Sequence, residues 1–133
     1  MNDRKVNALK AILLVGFGGF AGAVLRYLAA GCANHLGKHM SIPVGTLAVN
    51  VVGCALIGVF GGLAQRTDWL TESTRLILVV GLLGGFTTFS AFGLEAVQLL
   101  RDRAVGAAVL YVSLHLVLGV GATFVTFWLS ASR

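Results

Sequence analysis

The sequence predicts an all-α membrane protein, with four transmembrane helices in a single domain over residues 1–133. Three observations carry that prediction. First, 57% of the residues are hydrophobic and only 11% are charged, with a mean hydropathy of +0.90, a balance that a soluble domain of this size would not tolerate. Second, a helix needs about 20 apolar residues to cross a hydrocarbon core about 30 Å thick, so four crossings consume most of the chain. Third, the basic residues sit between the apolar runs and form no patch, so the net charge of +5 reads as membrane flanks and not as a nucleic-acid face.

The first run, residues 11–33, is apolar except for Arg26 and gives way to the polar loop 34–39. Residues 1–23 imitate a secretory signal, with Arg4, Lys5 and Lys10 before an apolar stretch and Ala21-Gly22-Ala23 in the style of a cleavage site. Removal would leave a three-span remnant, so the segment reads as a retained first helix. Pro43 opens the second run, which continues without a charge to Gln65, as expected of Pro in a first helical turn where no N–H partner is lost. The connector 66–75 carries both signs and Trp69, suited to headgroup level.

The third run, residues 76–94, holds GGFTTFS at 84–90, where two adjacent glycines and three hydroxyl residues depart from the needs of a lipid-facing helix. A break or unwound turn is predicted there. After Arg101-Asp102-Arg103, no formal charge occurs from 104 to 132, which gives a long fourth helix. Glycines at small-xxx-small spacing, such as Gly18 with Gly22 and Gly81 with Gly85, allow helix backbones to approach closely. Gly84-Gly85 is read differently, as glycine that loosens the backbone ahead of the hydroxyl residues. Cys32 and Cys54 have no metal or CxxC spacing and read as reduced packing residues.

An even number of spans puts Arg4, Lys5, Lys10, Arg66, Arg75 and Arg133 on one side of the membrane, against Lys38, Arg101, Arg103 and Arg26 on the other. Six against four is a small bias under the positive-inside rule, so insertion in both directions is expected.

Polar groups inside a membrane are costly and mark function by default. Arg26, placed about a turn from its helix end, reads either as a snorkelling interfacial cation or as an electrostatic group near an anion vestibule. Asn50 and Thr46 share a helix face; Asn50 serves either an interhelical hydrogen bond or a pore lining. Glu95 is expected to close the third span in a capping or vestibule position. His115, a turn after Tyr111, reads as a hydrogen-bonded core histidine. Phe86, Phe89 and Phe92 recur every three residues, a stripe that decides nothing alone. No nucleophile elbow, HExxH, paired membrane carboxylates or P-loop pattern occurs, so an enzyme or a nucleotide-driven pump is not expected.

Three segments together resemble the Fluc/CrcB family of fluoride channels: Gly22-Ala23-Val24-Leu25-Arg26-Tyr27, Gly45-Thr46-Leu47-Ala48-Val49-Asn50, and GGFTTFSAF at 84–92. The resemblance implies a dual-topology homodimer of antiparallel subunits that enclose two narrow pores in the inner (plasma) membrane. It further implies passive fluoride efflux that lowers cytoplasmic fluoride and gives fluoride resistance. Asn50 would be a pore hydrogen-bond donor, and Phe89 and Phe92 would present ring edges to the anion. Gly84 and Thr87 would offer carbonyls to a structural sodium ion at the dimer centre. Thr46, Thr88 and Ser90 would be polar lining, with Arg26 and Tyr111 completing the fluoride-binding set. Two departures stand out: Ala91 where the family often has Thr, and His115 where a Ser is common. The implied chemistry is unusual yet physical, since anion pores are commonly lined by cations, whereas here ring edges with partial positive charge and amide or hydroxyl donors would replace water around a small hard anion. The rivals are a small proton-coupled exporter and a non-transporting assembly subunit.

Overall fold

The computed structural model describes residues 2–67 and 70–132, with side chains from residue 7 onward. Trp69 and Arg133, and the side chains of Arg4 and Lys5, lie outside the described residues. Helix α1 (Asn2–Leu36) is followed by α2 (Val44–Leu63). The third span has two pieces. Its first, α3, joins Glu72–Thr74, a wide π-type stretch Arg75–Leu83 and a closing turn Gly84–Phe86. Thr87 and Thr88 are extended, with φ/ψ of −83°/158° and −151°/119°. The chain then resumes as α4 (Phe89–Arg101) and ends in α5 (Val105–Ala131). Four segments are long and apolar enough to cross a membrane: Asn7–Leu36, Val44–Leu63, Glu72–Arg101 and Val105–Ala131. The chain is therefore a multi-pass membrane protein.

The four spans lie where the apolar runs placed them, but two corrections follow from their true ends. The third span extends past residue 94 to Arg101, which places Glu95 inside α4 and not at a terminus. The first helix runs on through the polar residues to Leu36, so Arg26 sits well inside it rather than about a turn from its end. In both cases an apolar window stops at the first polar residues, whereas backbone hydrogen bonding continues through them. Pro43 is the N-cap of α2, and one of the free N–H groups in the first turn of that helix is met from outside: Gly45 N donates to Asn34 Oδ1 at 2.8 Å.

Two backbone-to-backbone seams hold the bundle. In the seam between α2 and α5, Thr123 Oγ1 donates to Cys54 O (3.0 Å) and Thr126 Oγ1 to Ala55 O (2.8 Å). Gly58 and Gly62 make room for this approach, since a Cβ at Gly58 would lie 2.5 Å from Thr123 O and one at Gly62 2.7 Å from Ser130 Cβ. Arg66 Nη1 donates to Ser130 O at 3.2 Å, which puts the C-terminal ends of α2 and α5 side by side. The seam between α1 and α3 uses the two glycine pairs singled out by spacing. A Cβ on Gly18 would lie 3.1 Å from Gly81 Cα, one on Gly85 3.0 Å from Gly19 Cα, and one on Gly22 2.8 Å from Phe86 N. Dispersion between backbones at this range replaces the hydrophobic drive that lipid does not supply.

The break falls within the stretch 84–90, as expected, and its extended residues are Thr87 and Thr88, while Gly84 and Gly85 keep helical geometry and no described glycine has positive φ. Gly85 serves packing against α1, so glycine supplies proximity here and not looseness.

Because backbone atoms cannot step aside as a flexible side chain can, Gly22→Val should destabilise the protein by about 1–3 kcal/mol through overpacking. Gly31→Ala, where nothing lies within 4 Å of the new methyl, should be neutral or slightly stabilising. Unfolding of both variants in mixed detergent micelles, followed by helical circular dichroism, checks the contrast.

Candidate functional site

A helix interrupted inside a membrane leaves N–H and C=O groups that water cannot reach, and each must find a protein partner. Here Asn50 of α2 provides one. Its Oδ1 accepts from Thr88 N at 2.8 Å and its Nδ2 donates to Thr88 O at 2.9 Å. A carboxamide carries a donor and an acceptor side by side, as a peptide group does, so one side chain meets both polar groups of one residue. In a continuous helix Thr88 N–H would bond to Gly84 O, and the Asn50 clamp relieves that carbonyl of its usual donor.

Two further bonds fix the break. Arg26 Nη1 of α1 donates to Thr87 O at 3.2 Å, and Thr88 Oγ1 accepts from Ala91 N at 3.2 Å, capping α4. The second Nδ2 hydrogen of Asn50 is not used by the Thr88 bond.

Two cavities flank the break and share Thr88. The first is lined by Asn50, Gly84, Thr87, Phe89, Phe92 and His115, and has a volume of about 440 Å³. Phe89 is 83% exposed, and its ring centroid lies 5.5 Å from that of Phe92. The second cavity is lined by Arg26, Asn34, Thr46, Ser90 and their apolar neighbours. Ser90 Oγ lies 3.3 Å from Thr88 Oγ1.

The site residues expected from sequence therefore divide. Asn50, Phe89, Phe92, Thr88, Gly84 and Thr87 gather at the first cavity. Arg26, Thr46 and Ser90 belong to the second. Arg26 does not snorkel; it is half-buried and reaches the break. Tyr111 is fully buried, and its hydroxyl donates to Glu95 Oε2. Thr46, also buried, donates to Glu95 Oε1 at 2.8 Å. The Glu95 carboxyl thus takes one hydroxyl on each oxygen, one from α2 and one from α5, and no cation is needed to satisfy it.

Sequence reasoning gave Glu95 a terminal role and so missed this hub. The signal was available: a carboxylate inside a helical span demands donors, and Thr46 and Tyr111 are hydroxyl residues in the two neighbouring spans.

His115 is the other addition. Its ring lines the first cavity and lies 4.3 Å, centroid to centroid, from Phe92 and 4.5 Å from Tyr111. Nδ1 is 3.0 Å from Tyr111 O, while the buried Nε2 has no partner. The expected core hydrogen bond is present on one nitrogen only.

A family model described as "CrcB-like protein, Camphor Resistance (CrcB)" matches residues 13–127. Among similar proteins, one from Methylobacillus flagellatus is 39% identical over 82% of this chain and 85% of its own length. A Phenylobacterium zucineum protein is 48% identical over 87% of this chain and 91% of its own, and one from Phocaeicola vulgatus is 41% identical over 92% and 99%. All three carry the name "Fluoride-specific ion channel FluC". The matched span covers α1 from Leu13 through nearly all of α5, with the Asn50 clamp and the broken third span inside it, and the chain belongs to the CrcB family.

Proposed function

We propose that this chain is one subunit of a fluoride-selective channel that lets fluoride leave the cell passively across the inner membrane, lowering cytoplasmic fluoride and conferring resistance to it. The carrying observation is the break at Thr87 and Thr88, which opens two helix ends onto one cavity walled by Asn50, Phe89 and Phe92. The N-terminus of α4 presents free N–H groups and the positive end of a helix dipole, which favours an anion. The spare amide hydrogen of Asn50 and the ring edges of two phenylalanines add donors and partial positive charge without a fixed cation that would trap the ion. A small, strong acceptor such as fluoride gains most from such short-range donors. Glu95, inside α4, gives the proton-coupled rival a carboxylate within the third span, while spans one, two and four hold none; the family and the names of its members favour the channel.

Purified protein in liposomes should release fluoride down its gradient, with no requirement for a proton gradient and no matching chloride release, as read by ion-selective electrodes. Asn50→Asp, which puts acceptors and a charge where the donor stood, should reduce that flux by 100-fold or more, on the order of the 2–3 kcal/mol by which a wrongly paired polar group is disfavoured. Phe89→Ile and Phe92→Ile keep the bulk but delete the quadrupole, so flux should fall while the protein still elutes as wild type. Wild-type flux in these variants would assign the residues to packing.

The working unit in this reading is an antiparallel homodimer. A cavity of about 440 Å³ could hold on the order of fifteen waters, far more room than one small anion fills, and a second copy would narrow it. The exposed Phe89 is suited to that second surface. With Arg26 removed from the loop tally, six cations face three, a bias still modest enough for packing to set orientation. A C-terminal tag should be reachable by an impermeant reagent from both sides of the membrane, and labelling from one side only would rule out the antiparallel pair.

A structural sodium ion at the dimer centre belongs to the same reading. The oxygens of Gly84 and Thr87 fit a hard cation: Gly84 O is relieved of its helical donor, Thr87 O keeps a lone pair beyond its bond to Arg26, and both lie at the negative, C-terminal end of α3. Two carbonyls from one chain are too few to enclose an ion, so the second copy would supply the rest. The ion would hold two breaks together and take no part in conduction. Replacing sodium by N-methylglucamine throughout purification should therefore lower the thermal midpoint of the dimer, with sodium restoring it and potassium failing to.

A further inference from the structure

Most polar groups at the break are matched, and among the described residues His115 Nε2 is the buried side-chain atom that is not. The hydrogen on the ring can be placed by logic. Nδ1 lies 3.0 Å from the carbonyl oxygen of Tyr111, which can only accept, so Nδ1 carries the hydrogen and neutral His115 has a bare lone pair at Nε2. A buried acceptor without a donor is unfavourable by about 1–3 kcal/mol. Protonation would turn the same atom into a charge-assisted donor, and then it needs an anion.

The ring borders the cavity that the proposed channel would use. It lines the cavity that holds Asn50, Thr88, Phe89 and Phe92, and it stacks at 4.3 Å against Phe92. Few other groups near it can titrate. Glu95 of α4 is the nearest carboxyl, reached through Tyr111 on His115's own helix, and both its oxygens are occupied by hydroxyls. Cys54 of α2 lines the same cavity, and Arg26 of α1 approaches from the other side of the break at Thr87 O. Among the described lining residues of α3, none is ionisable.

We propose that His115 is a proton-dependent anion contact of the conduction route: the imidazolium donates from Nε2 to fluoride, whereas the neutral ring offers it only a lone pair. This rests on the reading of the chain as a fluoride channel. Proton and anion then bind with positive coupling, each raising affinity for the other, so at fluoride concentrations below saturation the flux rises as pH falls. A Ser or Gln at this position has a fixed donor and carries no such dependence.

The test uses full-length protein in liposomes, with equal pH on both sides and leak from protein-free vesicles subtracted to remove passage of the neutral acid. Flux at about pH 5.5 should exceed that at about pH 8 by about fivefold, the low end of typical site-to-site coupling. His115→Gln and His115→Ser should flatten the profile. Flux that is equal at both pH values in the wild type, or a wild-type pH ratio that persists in either variant, overturns the inference and leaves the channel reading standing. Absence of any wild-type flux overturns both. Should both variants fail to fold, a protein that keeps His115 still decides, through nitrogen-15 NMR of histidine-labelled chain carrying His35→Asn and His39→Asn. Fluoride, and not chloride, should raise the midpoint of the remaining imidazole titration, and an unchanged midpoint overturns the inference.

Discussion

The paired hydrogen bonds between the Asn50 carboxamide and the backbone of Thr88 are the constraint on which the rest of the architecture depends. Within hydrocarbon a chain can stop being helical only where other protein groups take over its hydrogen bonding, because each unmet group is disfavoured by several kcal/mol. Asn50 does this for both groups of one residue. Once Thr88 is held by α2, the Thr87 carbonyl is turned toward Arg26 of α1, and the Thr88 hydroxyl is free to cap α4. Three helices thereby meet at two residues.

That meeting point gives the site its electrical character. The C-terminal end of α3 gathers carbonyls and the N-terminal end of α4 gathers N–H groups, within one short extended segment. Partial charges of opposite sign are therefore available for a cation and an anion in a region without a mid-span ring of charged side chains. Broken helices in membrane transport proteins commonly exploit the same separation. The phenylalanines follow from it too: Phe89 and Phe92 are the first and fourth residues of α4, so the helix that supplies the positive end also projects their rings beside it.

The frame around the break is rigid because its seams leave no space to yield. Gly18, Gly22, Gly81 and Gly85 bring the backbones of α1 and α3 into direct contact, and this contact holds Arg26 opposite Thr87. On the other side, Thr46 and Tyr111 tie α2 and α5 to Glu95 and so set the rotation of α4 about its axis. Glu95, half-buried inside a membrane span, dictates where its donors must be.

Much of this was legible from one dimension. Four apolar runs, the glycine spacing in the first and third, a shared face for Thr46 and Asn50, and a break near residues 84–90 all follow from periodicity and from the cost of polar groups in lipid. Those properties depend on composition and on neighbours three or four residues away, which the sequence itself displays. Only the tertiary structure decided which residues break the helix, where Arg26 and Glu95 stand, and which of the predicted site residues share a cavity. The physical reason is that each of those outcomes is a pairing between spans: Thr88 leaves the helix because Asn50, 38 positions away, accepts its N–H, and Glu95 is satisfied inside a span because Thr46, 49 positions away, and Tyr111 both reach it. Such partners are chosen by how helices pack, and no local pattern along the chain records that choice.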